Sequence, residues 1–278
     1  MWEPPPRRSA RAKARGLFDM LRTVQPELLD SDACPPVEVE ASLRDICRIN
    51  RWFGGVATTR RLIERVSSAT GNRNFSVLEV AAGLGEVPRL AAKQLARKGI
   101  TLEVTDLDRL HTHLLGERRA VVADALALPF PDGSFDLVSC SLFAHHLEPA
   151  DLARFAGEAL RVSRCAILIN DLVRHPMHLA LVYAGFPLMR SYVSRVDGLA
   201  SVRRAYVVDE MRRILSTSAK TAPRIEISRH FLFRMGVIAW KMSSGERVGA
   251  EYAIDLERPD GPKAACPHIL RTTESHND

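Results

Sequence analysis

The chain has 278 residues, 46% of them apolar and 26% charged, the balance of a soluble globular protein with one large domain and extensions. This balance excludes a collagen-like, a wholly disordered or a multi-pass membrane chain. The longest apolar run, residues 179–189, falls far short of the roughly 20 residues that span a bilayer. The net charge of +6 is uneven: residues 1–22 hold six Lys/Arg against two acids, leaving +2 for the other 256. A nucleic-acid partner is therefore only weakly suggested, because the excess sits on a leader. No apolar run follows those arginines, so a secretory signal is not expected. The five cysteines at 34, 47, 140, 165 and 266 include no CxxC pair, which points away from disulfides and structural zinc and toward a reducing, cytoplasmic setting.

In chain order, residues 1–36 read as a flexible basic leader ended by Pro35 and Pro36. Val39, Leu43, Ile46, Cys47 and Phe53 then recur at helical spacing up to Gly54-Gly55, and a second helix is expected from Thr58 or Thr59. From residue 75 strands alternate with helices. The pattern predicts strands at 75–80, 101–107, 119–123, 135–141 and 165–170, with helices at 86–98 and 151–161. Such alternation of apolar strands with helices means a mostly parallel α/β sheet covered on both faces. An apolar helical segment at 177–192 and a helix near 209–215 follow. Residues 224–232 and 234–241 are then expected to pair as an antiparallel edge hairpin. The remainder, 242–278, is rich in charge, glycine and proline and reads as loosely ordered.

Ligands of open α/β sheets bind beyond the carboxyl ends of the strands, where strand order reverses. The first strand ends there in Glu79-Val80-Ala81-Ala82-Gly83-Leu84-Gly85, followed by Pro88 where a dinucleotide fingerprint needs a third glycine. A pyrophosphate is thus the less expected ligand. Asp106 and Asp108 close the second strand about 20 residues past the glycines, the place of a ribose-binding carboxylate. Asp108 is preferred, because Leu107 then completes the strand.

With Glu79–Gly85, Asp108, Asp124-Ala125 and the run LPFPDGSFDLV from Leu128 to Val138 on the page, the chain resembles the class I S-adenosylmethionine-dependent methyltransferases. The likeness covers residues 75–172, looser to 241, and is nearest the small-molecule branch that includes quinone-ring methyltransferases. It implies a Rossmann-like, doubly wound, seven-stranded sheet over residues 37–241, with N-terminal helices and a helical lid insertion at about 173–200. It also implies S-adenosylmethionine as cofactor. Glu79 would orient the loop or meet the methionine ammonium through water; Gly83 and Gly85 would bring backbone against the methionine and ribose. Asp108 would hold the ribose hydroxyls, Asp124 and Ala125 the adenine amino edge, and Ser141 completes the expected cofactor set. Leu126 and Phe130 are placed against adenine or in plain core. Ala81 departs from the family's glycine, and its methyl fits if the residue keeps a negative φ.

The methyl acceptor belongs near the ends of strands four and five, which carry His145-His146 and, after Asn170-Asp171, His175. These histidines are the expected bases, since neutral imidazole can take a phenolic proton as transfer proceeds; packing or capping is the competing role. His178 stands three residues past His175, but without a third ligand no metal is expected. Leu179, Leu181, Val182, Tyr183, Phe186, Leu188 and Met189 are apolar nearly all round, so more than one face should be buried. With Trp52 and Phe53 they read as the wall of a hydrophobic pocket or as core. The expectation is therefore methylation of a phenolic oxygen on a lipophilic aromatic, quinone or polyketide. Ring-carbon methylation, RNA methylation and a non-catalytic cofactor-binding partner protein remain open alternatives, as does a homodimer.

Overall fold

A computed structural model describes residues 20–30, 34–110, 119–218 and 223–242. The expected tail and the first 19 residues of the leader, and with them Cys266, lie outside the described residues. Helices α1 (Pro36–Trp52) and α2 (Gly55–Thr70) precede the alternating unit. It runs β1 (Asn74–Val80), α3 (Glu86–Ala96), β2 (Thr101–Asp108), β3 (Ala120–Val122), β4 (Phe135–Ser141), α4 (Pro149–Val162) and β5 (Ser163–Leu172). Helices α5 (Pro176–Ala184), α6 (Tyr192–Arg204) and α7 (Val208–Leu215) lead to β6 (Arg224–His230) and β7 (Arg234–Trp240). The second helix begins at Gly55 rather than at Thr58 because Gly54, at φ +84°, provides the left-handed turn between α1 and α2.

The strands form one seven-stranded sheet in the order β3-β2-β1-β4-β5-β7-β6. Pairs through β5 are parallel, and β7 runs antiparallel to both β5 and β6. This is the expected α/β architecture with its edge hairpin. Sequence order reverses between β1 and β4, so their carboxyl ends open the crevice that such sheets use for ligands. Two apolar layers cover the sheet. On one face Leu78, Val80, Phe155, Ile167, Ile169 and Met211 pack with α4 and α7; on the other Ile63, Val66, Val77, Leu95 and Leu168 pack with α2 and α3.

Two expectations need correction here. The segment 177–192 is not one helix: Gly185 ends α5, a 3-10 turn spans Phe186–Leu188, and α6 is a separate helix that the apolar pattern did not reveal. Its buried positions are largely polar, namely Ser194, Asp197, Ser201 and Arg204. Nor is α5 buried on several faces, since His178 alone is buried there and Met177, Leu181 and Tyr183 are exposed.

Residues 20–30 of the leader form a strap against α6. Asp197 accepts from the backbone N–H of Leu28 and Leu29 at 2.8 and 2.9 Å. Arg22 donates to the Arg204 carbonyl at 2.8 Å, and Thr23 N–H to that of Arg203 at 3.1 Å. These bonds answer the polar face of α6 and hold the strap over the crevice. No helix among the described residues is long and apolar enough to cross a membrane, and the described cysteines 34, 47, 140 and 165 are free thiols.

Candidate functional site

A cavity of about 620 Å³ opens at the carboxyl ends of β1, β2 and β4 and continues beneath the strap and helices α1, α5 and α6. That volume is in the range of small-ligand sites. Its two ends differ in chemistry.

At the sheet end, the wall holds Glu79, the loop from Ala81 to Gly85, Asp108, Asp124, Ala125 and Ser141. The loop leaves β1 through three left-handed residues, Ala81 (φ +54°), Gly83 (φ +52°) and Gly85 (φ +58°). Ala81 therefore does not meet the condition, a negative φ, under which its methyl fits easily. The turn demands left-handed backbone there, and a Cβ in that region costs about 1–2 kcal/mol. Asp108 fixes the loop: Oδ2 accepts from Gly83 N–H and Oδ1 from Leu110 N–H, both at 3.0 Å. Asp106 is not in the cavity wall; its carboxylate lies 3.8 Å from the Arg89 guanidinium. Asp124 accepts from Leu126 N–H at 2.8 Å and shapes the loop after β3. Leu126 lines the cavity, whereas Phe130 packs edge-on against Phe135 at 5.0 Å instead.

Glu79 is the buried acid of this end. Burial first, and the neighbouring Asp106 charge, raise its pKa to about 7 against the hydroxyls of Ser139 and Ser141. Its Oε2 and the Ser141 Oγ are buried with no hydrogen-bond partner among the described residues. Two orphaned acceptors beside a cradle of glycine backbone fit a ligand that brings N–H groups, such as an amino-acid ammonium.

At the far end, the wall is apolar, built from Leu43, Ile46, Phe53, Leu181, Val182 and Met189 among others. Trp52 is exposed and lies outside it, because it sits at the last turn of α1. Polar groups interrupt this wall: Asn50, His178 and Arg234 at one place, and at another a cluster that centres on His145. The ring Nδ1 lies 2.6 Å from Asp171 Oδ1, and Asp171 Oδ2 accepts the His145 backbone N–H at 2.9 Å. On the other side Nε2 stands 3.6 Å from Glu27 Oε1, and His146 Nε2 stands 3.5 Å from Glu27 Oε2. Burial pushes the His145 pKa down, but Asp171 and then Glu27 outweigh it and lift it to about 9. The two carboxylates thus favour the protonated ring, so His145 serves as the expected neutral base only once that proton is displaced. Burial likewise pushes Glu27 up, yet His145, His146 and Ser201 hold its carboxyl below the usual range.

His175 does not reach the cavity. It caps α5, its Nδ1 accepting from Met177 N–H at 3.1 Å, and its ring stacks on Phe233 at 4.7 Å. His178 does line the cavity, and burial lowers its pKa to about 4 while Nδ1 lies 3.1 Å from the Val173 carbonyl. Asn170 is structural, donating to the Gly55 carbonyl and to Thr59 Oγ1. Glu27 was missed by sequence reasoning. A lone acid in a basic, proline-containing leader carries no periodic or motif signal, and only the folded strap brings it to His145.

Residues 78–165 match the family model of a methyltransferase domain. Among solved structures, a SAM-dependent methyltransferase from Aquifex aeolicus is 16% identical over 75% of this chain and 100% of its own, with a TM-score of 0.50. The plantazolicin methyltransferase BpumL, in complex with a triazolic desmethylPZN analog and SAH, is 13% identical over 77% of this chain and 93% of its own, with a TM-score of 0.58. Its counterpart BamL, solved with the same kind of analog and SAH, is 13% identical over 73% and 90%, with a TM-score of 0.57. At these identities the likeness is one of fold. No curated protein sequence matches the chain.

Proposed function

We propose that this chain is a class I S-adenosylmethionine-dependent methyltransferase and that it methylates a phenolic oxygen of a lipophilic small molecule. The observation that carries the reading is the continuity of one cavity from the glycine loop to a mainly apolar lobe that also holds the Glu27–His145–His146 cluster. The bound cofactor supplies an electrophilic methyl on a sulfonium; the rest of the chemistry is positioning, exclusion of water and management of the acceptor's proton. Gly83 and Gly85 let the backbone approach the methionine and ribose parts. Asp108 holds the ribose diol, Glu79 the ammonium, and Asp124 with Ala125 the adenine edge. The apolar wall orients the acceptor's ring, and its reacting hydroxyl meets the Glu27–His145–His146 cluster.

The pKa of Glu79 near 7 gives the cofactor reading a pH signature. A bound ammonium favours the ionised carboxylate, so below pH 7 binding must first release a proton. Affinity for S-adenosylmethionine should fall by about tenfold per pH unit below about 7 and level off above it. Calorimetric titrations at several pH values check this. Glu79→Gln should abolish the slope, and a flat wild-type profile would remove Glu79 from the ammonium site.

The acceptor reading is tested at Leu181, which lines the cavity from the partly exposed side of α5. Leu181→Arg should raise KM for a lipophilic phenol by about tenfold or more, the scale of about 1.5 kcal/mol of lost apolar contact. Its cofactor Kd should not change. Turnover of a phenol panel, read as a mass gain of one methyl, measures both; equal activity on sugars or short RNA would contradict the proposal.

A further inference from the structure

We infer that Glu27, His145 and His146 form a binding site for one divalent, zinc-class cation whose open fourth position faces the acceptor lobe. The inference rests on the acceptor reading above and deepens it. The donor atoms all lie within 4.8 Å of one another. Glu27 Oε1 lies 3.6 Å from His145 Nε2, and Glu27 Oε2 lies 3.5 Å from His146 Nε2. Zinc bonds of about 2.0–2.2 Å at tetrahedral angles separate donors by about 3.3–3.5 Å, so both carboxylate–imidazole spacings are close to those around a bound ion. The 3.5–3.6 Å gaps are also longer than hydrogen bonds.

One further observation points to a ligand at this place, and the surrounding hydrogen bonds hold its donors in position. His145 Nε2 is buried without a hydrogen-bond partner among the described residues, on a side chain only 2% exposed. Its other ring nitrogen is held at 2.6 Å by Asp171, the carboxylate–histidine arrangement that orients and strengthens an imidazole ligand. Arg204 fixes the backbone of both histidines, donating to the His145 carbonyl at 3.1 Å and to the His146 carbonyl at 2.6 Å. The carboxylate of Glu27 is itself steadied by Ser201 Oγ at 2.8 Å, with Arg204 3.7 Å away.

Charge decides what the fourth position takes. A divalent ion takes the place of the proton on the His145 ring, so both histidines are neutral as ligands. The ion then adds two positive charges to a buried cluster that already sets the Glu27 and Asp171 carboxylates against the Arg204 and Arg234 guanidiniums, an excess that an anionic ligand relieves. Buried charge is costly unless balanced, so the site selects an acceptor that binds as an oxyanion. The acceptor's O–H bond breaks with its proton passing to water. The oxygen's electron pair then forms the O–CH3 bond as the methyl–sulfur bond breaks, its electrons remaining on the neutral thioether. Two imidazoles and one carboxylate with an open position are the donor set of hydrolytic zinc sites, where the ion lowers the pKa of a bound hydroxyl.

The test uses the full chain, stripped with a chelator and dialysed, then titrated with zinc alone by calorimetry, with metal content read by mass spectrometry. Cobalt substitution should give the intense visible bands of four-coordinate geometry. Wild type should bind one zinc per chain and gain thermal stability on binding. His146→Ala and Glu27→Gln should each weaken binding by about 100-fold or more, since loss of a mere orienting partner already costs 10–100-fold. Should Glu27→Gln fail to fold, the half-buried His146 still tests the site. No zinc binding, or binding unaltered in His146→Ala, overturns the inference. The two levels separate cleanly: a chain that methylates phenols without zinc defeats only the metal site, and one that binds zinc one-to-one but methylates no phenol defeats only the acceptor reading.

Discussion

Replacing Asp108 by alanine should weaken S-adenosylmethionine binding by about 10- to 100-fold. A charge-assisted hydrogen bond from a ligand hydroxyl contributes about 1.5–3 kcal/mol, which corresponds to that range in Kd. Asp108 does two things at once. It receives the N–H groups of Gly83 and Leu110, pinning the glycine loop to the end of β2. An ionised carboxylate has about four acceptor positions, and this one also lines the cavity, where a ribose diol can donate to it. Alanine removes both the pin and the acceptor. Asp106→Asn is the matched control: that carboxylate lies beside Arg89 outside the cavity wall, and its loss should change Kd by less than about threefold. Calorimetry on the three proteins separates the outcomes. An equal loss at both positions would mean that the effect is sheet stability rather than ribose recognition.

The second large effect concerns stability and lies at Arg234. Its side chain is only 2% exposed, yet it forms no ion pair among the described residues. Nε donates to the Phe53 carbonyl at 3.1 Å, one terminal nitrogen to Asn170 Oδ1 at 3.2 Å and the other to Asn50 Oδ1 at 2.7 Å. Burial lowers its pKa to about 10, against the pull of the Asp171 charge. This one cation therefore joins α1, the start of the α1–α2 turn, β5 and β7. Arg234→Ala leaves three buried acceptors short of a donor and opens a cavity. Each unsatisfied acceptor costs about 1–3 kcal/mol, and partial relaxation brings the total to about 3–5 kcal/mol. At 2–4 °C per kcal/mol for a domain of this size, Tm should drop by about 10 °C. Arg229→Ala, on an exposed position of the neighbouring strand, should shift it by less than about 2 °C. Equal shifts would show that the network carries no particular weight.

What could be read from the sequence follows from which signals are local. The strands announce themselves because both faces of a covered parallel sheet are apolar, as at β4 and β5, where the buried runs are continuous. The glycine loop and Asp108 are legible because a strand end, a tight turn and an acid at fixed spacing form a local code. Helix α6 was hidden because its buried face satisfies hydrogen bonds rather than hydrophobic contacts: Asp197 and Ser201 meet the strap, and Arg204 meets the carbonyls of His145 and His146. Glu27 was hidden for the complementary reason, since its role exists only across more than a hundred residues of chain. His175 was read as a base from its position after β5. The proline at 176 instead starts α5, and His175 supplies the cap. Periodicity finds what packs by area; it is silent where buried polar groups choose their partners.

The account stands most directly on where a labelled methyl group goes. The full chain, incubated with methyl-labelled S-adenosylmethionine and an extract of its source organism, should transfer label to a low-molecular-mass, organic-extractable compound one methyl heavier than its precursor. The same reaction with Asp108→Ala at limiting cofactor should lose most of that label. Label confined to RNA or protein, or transfer that is indifferent to Asp108→Ala, would contradict the proposed methylation of a small molecule.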